Sequence, residues 1–155
     1  MATATRRMPV RLKFSDGQVL VTSQDMDTFV ISAERATEAC QEVVKRGERF
    51  QQFQDEFLIP VHSWCVQHAA TVRACYMPMP LGVIRVFVVT NSVKFDFGLG
   101  EQIAKLERDL HQGGWRVSIS QLPDAGDDSL GTFFSQEGAL EVYAQGERAQ
   151  DKGGA

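Results

Sequence analysis

The run Val83-Ile84-Arg85-Val86-Phe87-Val88-Val89 narrows the possible folds more than any other stretch of this chain. A segment that is apolar at almost every position offers no polar face to water, so it reads as an interior strand covered on both sides. It is also the longest apolar stretch, interrupted by Arg85, and falls far short of the roughly 20 apolar residues a membrane helix needs. No membrane span is therefore expected.

The residues downstream of this run set its connection. Leu99, Ile103, Leu106 and Leu110 recur at helical spacing, Gly113-Gly114 stops the helix, and Trp115, Val117 and Ile119 then alternate with Arg116, Ser118 and Ser120. This is a β-α-β unit, which predicts two parallel strands with the polar-faced second strand nearer an edge. Upstream, Val72 to Met77 is a second β-rich run, joined to the first by Pro78-Met79-Pro80-Leu81-Gly82 as an antiparallel hairpin.

The N-terminal half carries weaker signals. Val10, Leu12 and Phe14 alternate with Arg11 and Lys13, and Asp16-Gly17 separates them from Val19-Leu20-Val21, which predicts a hairpin preceded by a loose start over 1–8. Phe29-Val30-Ile31 reads as a short strand segment, with Ser32 as the N-cap of a helix in which Ala33, Ala36, Cys40, Val43 and Val44 share a face and Gly47 closes the end. Phe50, Phe53, Phe57 and Leu58 form another helical stripe that Pro60 is expected to end, and Val61 to His68 reads as a short third helix. Beyond Pro123, an acidic connector over 123–129 leads to a segment over 130–144 that is too apolar to be left in water, with a short helix expected over Glu137 to Ala144 and fraying from 145 to 155. The whole predicts a single α+β domain spanning 1–155: an N-terminal β-hairpin, two or three helices, then a β-hairpin and the β-α-β unit in a mixed sheet with helices mainly on one face.

A chain of 155 residues can bury about 70% of its unfolded surface, so it needs neither disulfide nor metal to hold a core, and no cofactor is expected. Three cysteines, odd in number and unclustered, suit a reducing compartment, and Arg6-Arg7 is not followed by the apolar segment of an export signal, so a cytoplasmic address is expected. The net charge of −4 argues against broad nucleic-acid binding, although Arg6, Arg7, Arg11 and Lys13 make one basic strip and Lys45, Arg46 and Arg49 another.

Three patterns carry candidate chemistry. His62, Cys65 and His68 recur every three residues, which on a helix leaves them on one broad face with ligand types that zinc accepts, or as a Cys-His pair. The spacing matches no established zinc pattern, Cys75 joins only if a strand returns it, and a core cysteine with rim histidines is the simpler account. Gly98-Leu99-Gly100 opens a helix after a strand, where backbone N–H groups bind phosphate. The third glycine of a dinucleotide loop is absent, no P-loop lysine follows, and Glu101 brings negative charge to the anion position, which leaves Asp96 to cap or precede that helix. Asp25 with Asp27, and Asp124 with Asp127 and Asp128, lie in polar loops without a partner acid or base.

A fourth pattern is the apolar loop Met77-Pro78-Met79-Pro80-Leu81, where a hairpin end is ordinarily polar. Met77, Met79 and Leu81 are candidate partner-binding residues together with Phe133 and Phe134, against the simpler account that the loop folds back beneath that C-terminal segment. The function this supports is a non-catalytic protein-interaction or accessory protein, binding a protein partner or a second copy of itself. The alternatives are a small enzyme or ligand- or metal-binding protein built on the His62, Cys65 and His68 face, and, third, a nucleic-acid adaptor.

Overall fold

A computed structural model of the chain describes residues 9–38, 49–80, 82–124 and 126–145. The apolar run forms β5 (Ile84–Thr90), flanked by β4 (Val72–Met77) and β6 (Val117–Leu122) in a five-stranded mixed sheet of order β1-β7-β4-β5-β6. β1 is Val10–Arg11 and β7 is Leu140–Ala144. β4 and β5 are antiparallel, with Cys75 opposite Val88, while β5 and β6 are parallel, with Val86 opposite Ile119. The hairpin, the β-α-β unit and the edge position of β6 therefore agree with the sequence expectation. The crossover helix, Phe97–Gln112, buries Leu99, Ile103, Leu106 and Leu110 as one stripe.

One face of the sheet carries the main core, where Val72, Cys75, Met77, Ile84, Val86 and Val88 meet the helices. These are α1 (Met26–Glu38), α2 (Arg49–Phe53), α3 (Ile59–Gln67) and the crossover helix, α4. Phe29 of α1 meets Phe53, and Phe53 and Phe57 close on Trp115 with ring centroids 6.0 and 5.5 Å away. The second face is covered by the chain between β6 and β7, including the single turn α5 (Asp127–Leu130), with Leu130, Phe134 and Ala139 packed on Ala74, Tyr76, Phe87 and Val89. A bulge between Val72 and Ala74 reverses the alternation along β4, so Val72 faces the helices together with Cys75 and Met77 while Ala74 and Tyr76 face the second cluster.

Four local expectations are corrected. Phe29-Val30-Ile31 is helical rather than a strand segment, and Ser32 is buried inside α1 rather than capping it. The face shared by Phe29, Ala33 and Ala36 in the core outweighs the β preference of two branched residues, and Phe29 N–H already bonds Asp25 O at the start of the helix. Pro60 does not end the second stripe. A π turn over Gln54–Leu58, in which Ile59 N–H reaches Gln54 O, joins α2 to α3, so the chain stays helical and Phe57 and Leu58 remain buried. A helical proline collides with the carbonyl four residues back, here that of Glu56 within the wider turn.

The third correction concerns β1. Lys13–Ser15 (β2) and Gln18–Leu20 (β3) do form the antiparallel hairpin, with Asp16 and Gly17 both at positive φ as a two-residue turn of this hand requires. Val10–Arg11, however, leaves that ribbon and joins the main sheet parallel to β7. The fourth is the C-terminal segment, where 140–144 is a strand between β1 and β4 and not a helix. Leu140 and Val142 fill the main core, and the strand hydrogen-bonds to a neighbour on each side, which a helix at that place could not do. The start over 1–8, the tail beyond 145, Leu81 and the helix end at Cys40, Val43, Val44 and Gly47 lie outside the described residues.

Candidate functional site

Each candidate residue from the sequence has a definite place. Cys65 is buried in the main core and Cys75 lies on β4 beneath it. The His62 ring stacks on Phe14 of β2 at 3.9 Å and meets Tyr143 edge-on at 6.1 Å, whereas His68 stacks on Trp64 and its Nδ1 lies 2.8 Å from Trp64 O. The two histidines are thus drawn to different aromatic neighbours, and among the described residues no group of three His, Cys, Asp or Glu is arranged to hold a metal. The Gly98-Leu99-Gly100 entry is filled by the chain itself, since Asp96 Oδ1 accepts from Leu99 N–H at 2.9 Å. That carboxylate stands where a phosphate would bind, which removes the anion site.

The Met-Pro loop turns inward. Met77 is wholly buried, Met79 lies half-buried with Ser32 Oγ donating to its sulfur at 3.6 Å, and its methyl group lies beside Gly138. Phe134 is 5% exposed, stacked on Phe87 at 5.1 Å, while its neighbour Phe133 is 48% exposed. Of the four described candidate partner-binding residues, Phe133 alone presents a large surface to solvent; Met77 and Phe134 contribute to the core and Met79 lies in between, while Leu81 is outside the described residues.

Surface exposure concentrates elsewhere, in the loop from β5 into α4. Val93 is 76% exposed, Phe95 50% and Phe97 79%, and the two rings meet edge to face at 5.0 Å. Large apolar side chains this close together and this exposed are unusual on a folded surface. The loop is held firmly from behind. Asp96 N–H donates to Gln121 Oε1 at 2.7 Å, Gln121 Nε2 donates back to Asp96 O at 3.0 Å, and Asp124 N–H reaches Ser92 O at 2.8 Å. Gly100 leaves room for the Phe95 ring, whose carbons would lie 3.4 Å from a Cβ at that position. The aromatic pair is therefore displayed on a braced loop at the C-terminal end of the parallel strands, where α/β sheets commonly place ligand contacts.

The sequence does carry a trace of this site. Phe97 lies two residues before Leu99, about 200° round the helix from the apolar stripe, so it cannot share the face that α4 buries. Val93, Phe95 and Phe97 also alternate with Lys94 and Asp96 after β5 has ended, a strand-like pattern with no strand to serve. No described helix is long and apolar enough to cross a membrane. No protein-family model, curated protein or solved structure matches the chain, and the site rests on its own residues.

Proposed function

We propose that this chain is a non-catalytic, cytoplasmic accessory protein that works by protein–protein contact through the β5–α4 loop. The exposed cluster of Val93, Phe95 and Phe97 on a hydrogen-bonded loop carries the reading. Aromatic side chains are the anchors that most often dominate protein interfaces, and a braced loop loses little entropy when a partner closes over it. The reading shifts the surface from the Met77-to-Leu81 loop, whose Met77 lies in the core, to the opposite end of β5.

The His62, Cys65 and His68 face gains no support as a catalytic or metal centre, because Cys65 is enclosed and the histidines serve separate aromatic stacks. Affinity capture with the wild-type chain and with Val93→Ser/Phe97→Ser, both checked for equal melting temperature, tests the proposal. Loss of bound protein or of self-association in the variant is expected. Equal recovery of both by the two baits sinks it.

A further inference from the structure

Beside the aromatic loop lies the outer edge of β6, and the edge is guarded over only part of its length. Parallel strands leave every second residue's N–H and C=O pointing away from the neighbour, here those of Val117, Ile119 and Gln121. Two side chains of α4 satisfy the first part: His111 Nε2 donates to Val117 O at 2.8 Å, and Ile119 N–H donates to Glu107 Oε2 at 2.8 Å. One and two turns earlier the same flank of α4 carries Ala104 and Gly100, which are too short to reach the strand. The Gln121 end of the edge is thus left without a helix side chain over it, and the Gln121 side chain is engaged with Asp96. Phe95 and Gln121 both border Gly100, so the open edge and the aromatic pair form one continuous surface.

We propose that this surface joins two copies of the chain about a two-fold axis at Gln121, where the outward N–H and C=O of Gln121 pair with those of the second copy and the Phe95–Phe97 pairs come into contact. The inference rests on the interaction reading above and names the partner. Three features favour a second copy. A two-fold axis brings a strand edge to its own copy in antiparallel sense, the orientation in which hydrogen bonds form directly across. The exposed side chains of the strand nearest Gln121, Ser118 and Ser120, carry no charge to repel their own copies, whereas guarded edges usually display lysine.

The flanking charges are also self-complementary. Lys94 and Glu101 are exposed on either side of the aromatic pair, Lys94 adjoining Phe95 in the chain and Glu101 one helical turn from Phe97, and neither is ion-paired among the described residues. A two-fold contact sets Lys94 of each copy toward Glu101 of the other. The exposed parts of Val93, Phe95 and Phe97 amount to roughly 300–400 Å² if a fully exposed phenyl side chain presents about 200 Å². That is about half of the ~800 Å² each partner buries in a standard interface, so with the strand edge added the contact has the size of a concentration-dependent dimer.

Sedimentation velocity of the full chain over a wide concentration range tests this. The wild-type mass is expected to climb from one chain to two, with Gln121 amide exchange slowing over the same range. Phe97→Ser, at a site exposed enough to spare the fold, should raise the concentration of half-dimerisation at least about tenfold. Lys94→Glu and Glu101→Lys should each weaken the dimer, and Lys94→Glu/Glu101→Lys should restore it. A wild-type chain that stays monomeric throughout, a dimer indifferent to Phe97→Ser, or a double reversal that fails to restore association overturns the inference. If the wild type stays monomeric while the loop variant still loses a bound protein in the capture experiment, the second-copy partner falls and the interaction surface stands; if neither measurement responds to the loop, both fall.

Discussion

Replacing Phe134 with alanine separates a C-terminal segment that docks on its own sheet from one held ready for a partner. Phe134 is 5% exposed, its ring lies nearly parallel to Phe87 with centroids 5.1 Å apart, and Tyr76 is 5.5 Å away on the neighbouring strand. A phenyl group enclosed in this way costs about 3–5 kcal/mol when truncated to alanine. The smaller second-face cluster is covered by a loop segment, which can settle into part of the vacated space, so we expect a value near the lower end, about 3 kcal/mol. For a chain of this size each kcal/mol lowers the melting temperature by about 2–4 °C, giving a fall of roughly 6–12 °C. Phe133→Ala is the control, because a residue 48% exposed should cost no more than about 0.5 kcal/mol. Urea unfolding followed by tryptophan fluorescence reads both, with Trp115 reporting the main core. Equal midpoints for the two variants would refute the assignment of Phe134 to the interior.

Leu106→Asp places a charge in the middle of the buried α4 stripe and should cost several kcal/mol or abolish folding; an unchanged denaturation midpoint would show that the helix presents another face to the sheet. Asp96→Ala removes the side chain that caps α4 and should lower stability by about 1 kcal/mol, with faster amide exchange confined to the first turn of the helix. Exchange that rises evenly along α4 would contradict a local capping role.

The parts of this fold that the sequence announces are those whose causes lie within a dozen residues. The Leu99 to Leu110 stripe has helical period, Gly113-Gly114 comes directly after it, Asp16-Gly17 suits a tight reversal, and the run before Thr90 is too apolar to be anything but interior. Each such signal is a property of neighbouring side chains and survives whatever the rest of the chain does. The same holds for Asp96, whose cap bond spans three residues.

The arrangement that decides between competing local readings is long-range. Residues 140–144 are apolar enough for a helix or a strand, and they become β7 because β1 and β4 each present an edge to pair with; the Arg11–Glu141 ion pair there, at 2.7 Å, closes 130 residues of chain. Phe29-Val30-Ile31 has strand-forming residues but becomes helical because Phe29, Ala33 and Ala36 find the core together. The candidate site obeys the same division. Apolar character marks Met77 and Phe134 as readily as Phe95 and Phe97, and periodicity alone cannot say which pair is covered. Burial is a property of what packs against a side chain, and for these residues that is a strand or loop distant in sequence: Tyr76 and Phe87 of β4 and β5 enclose Phe134, whereas nothing among the described residues closes over Phe97.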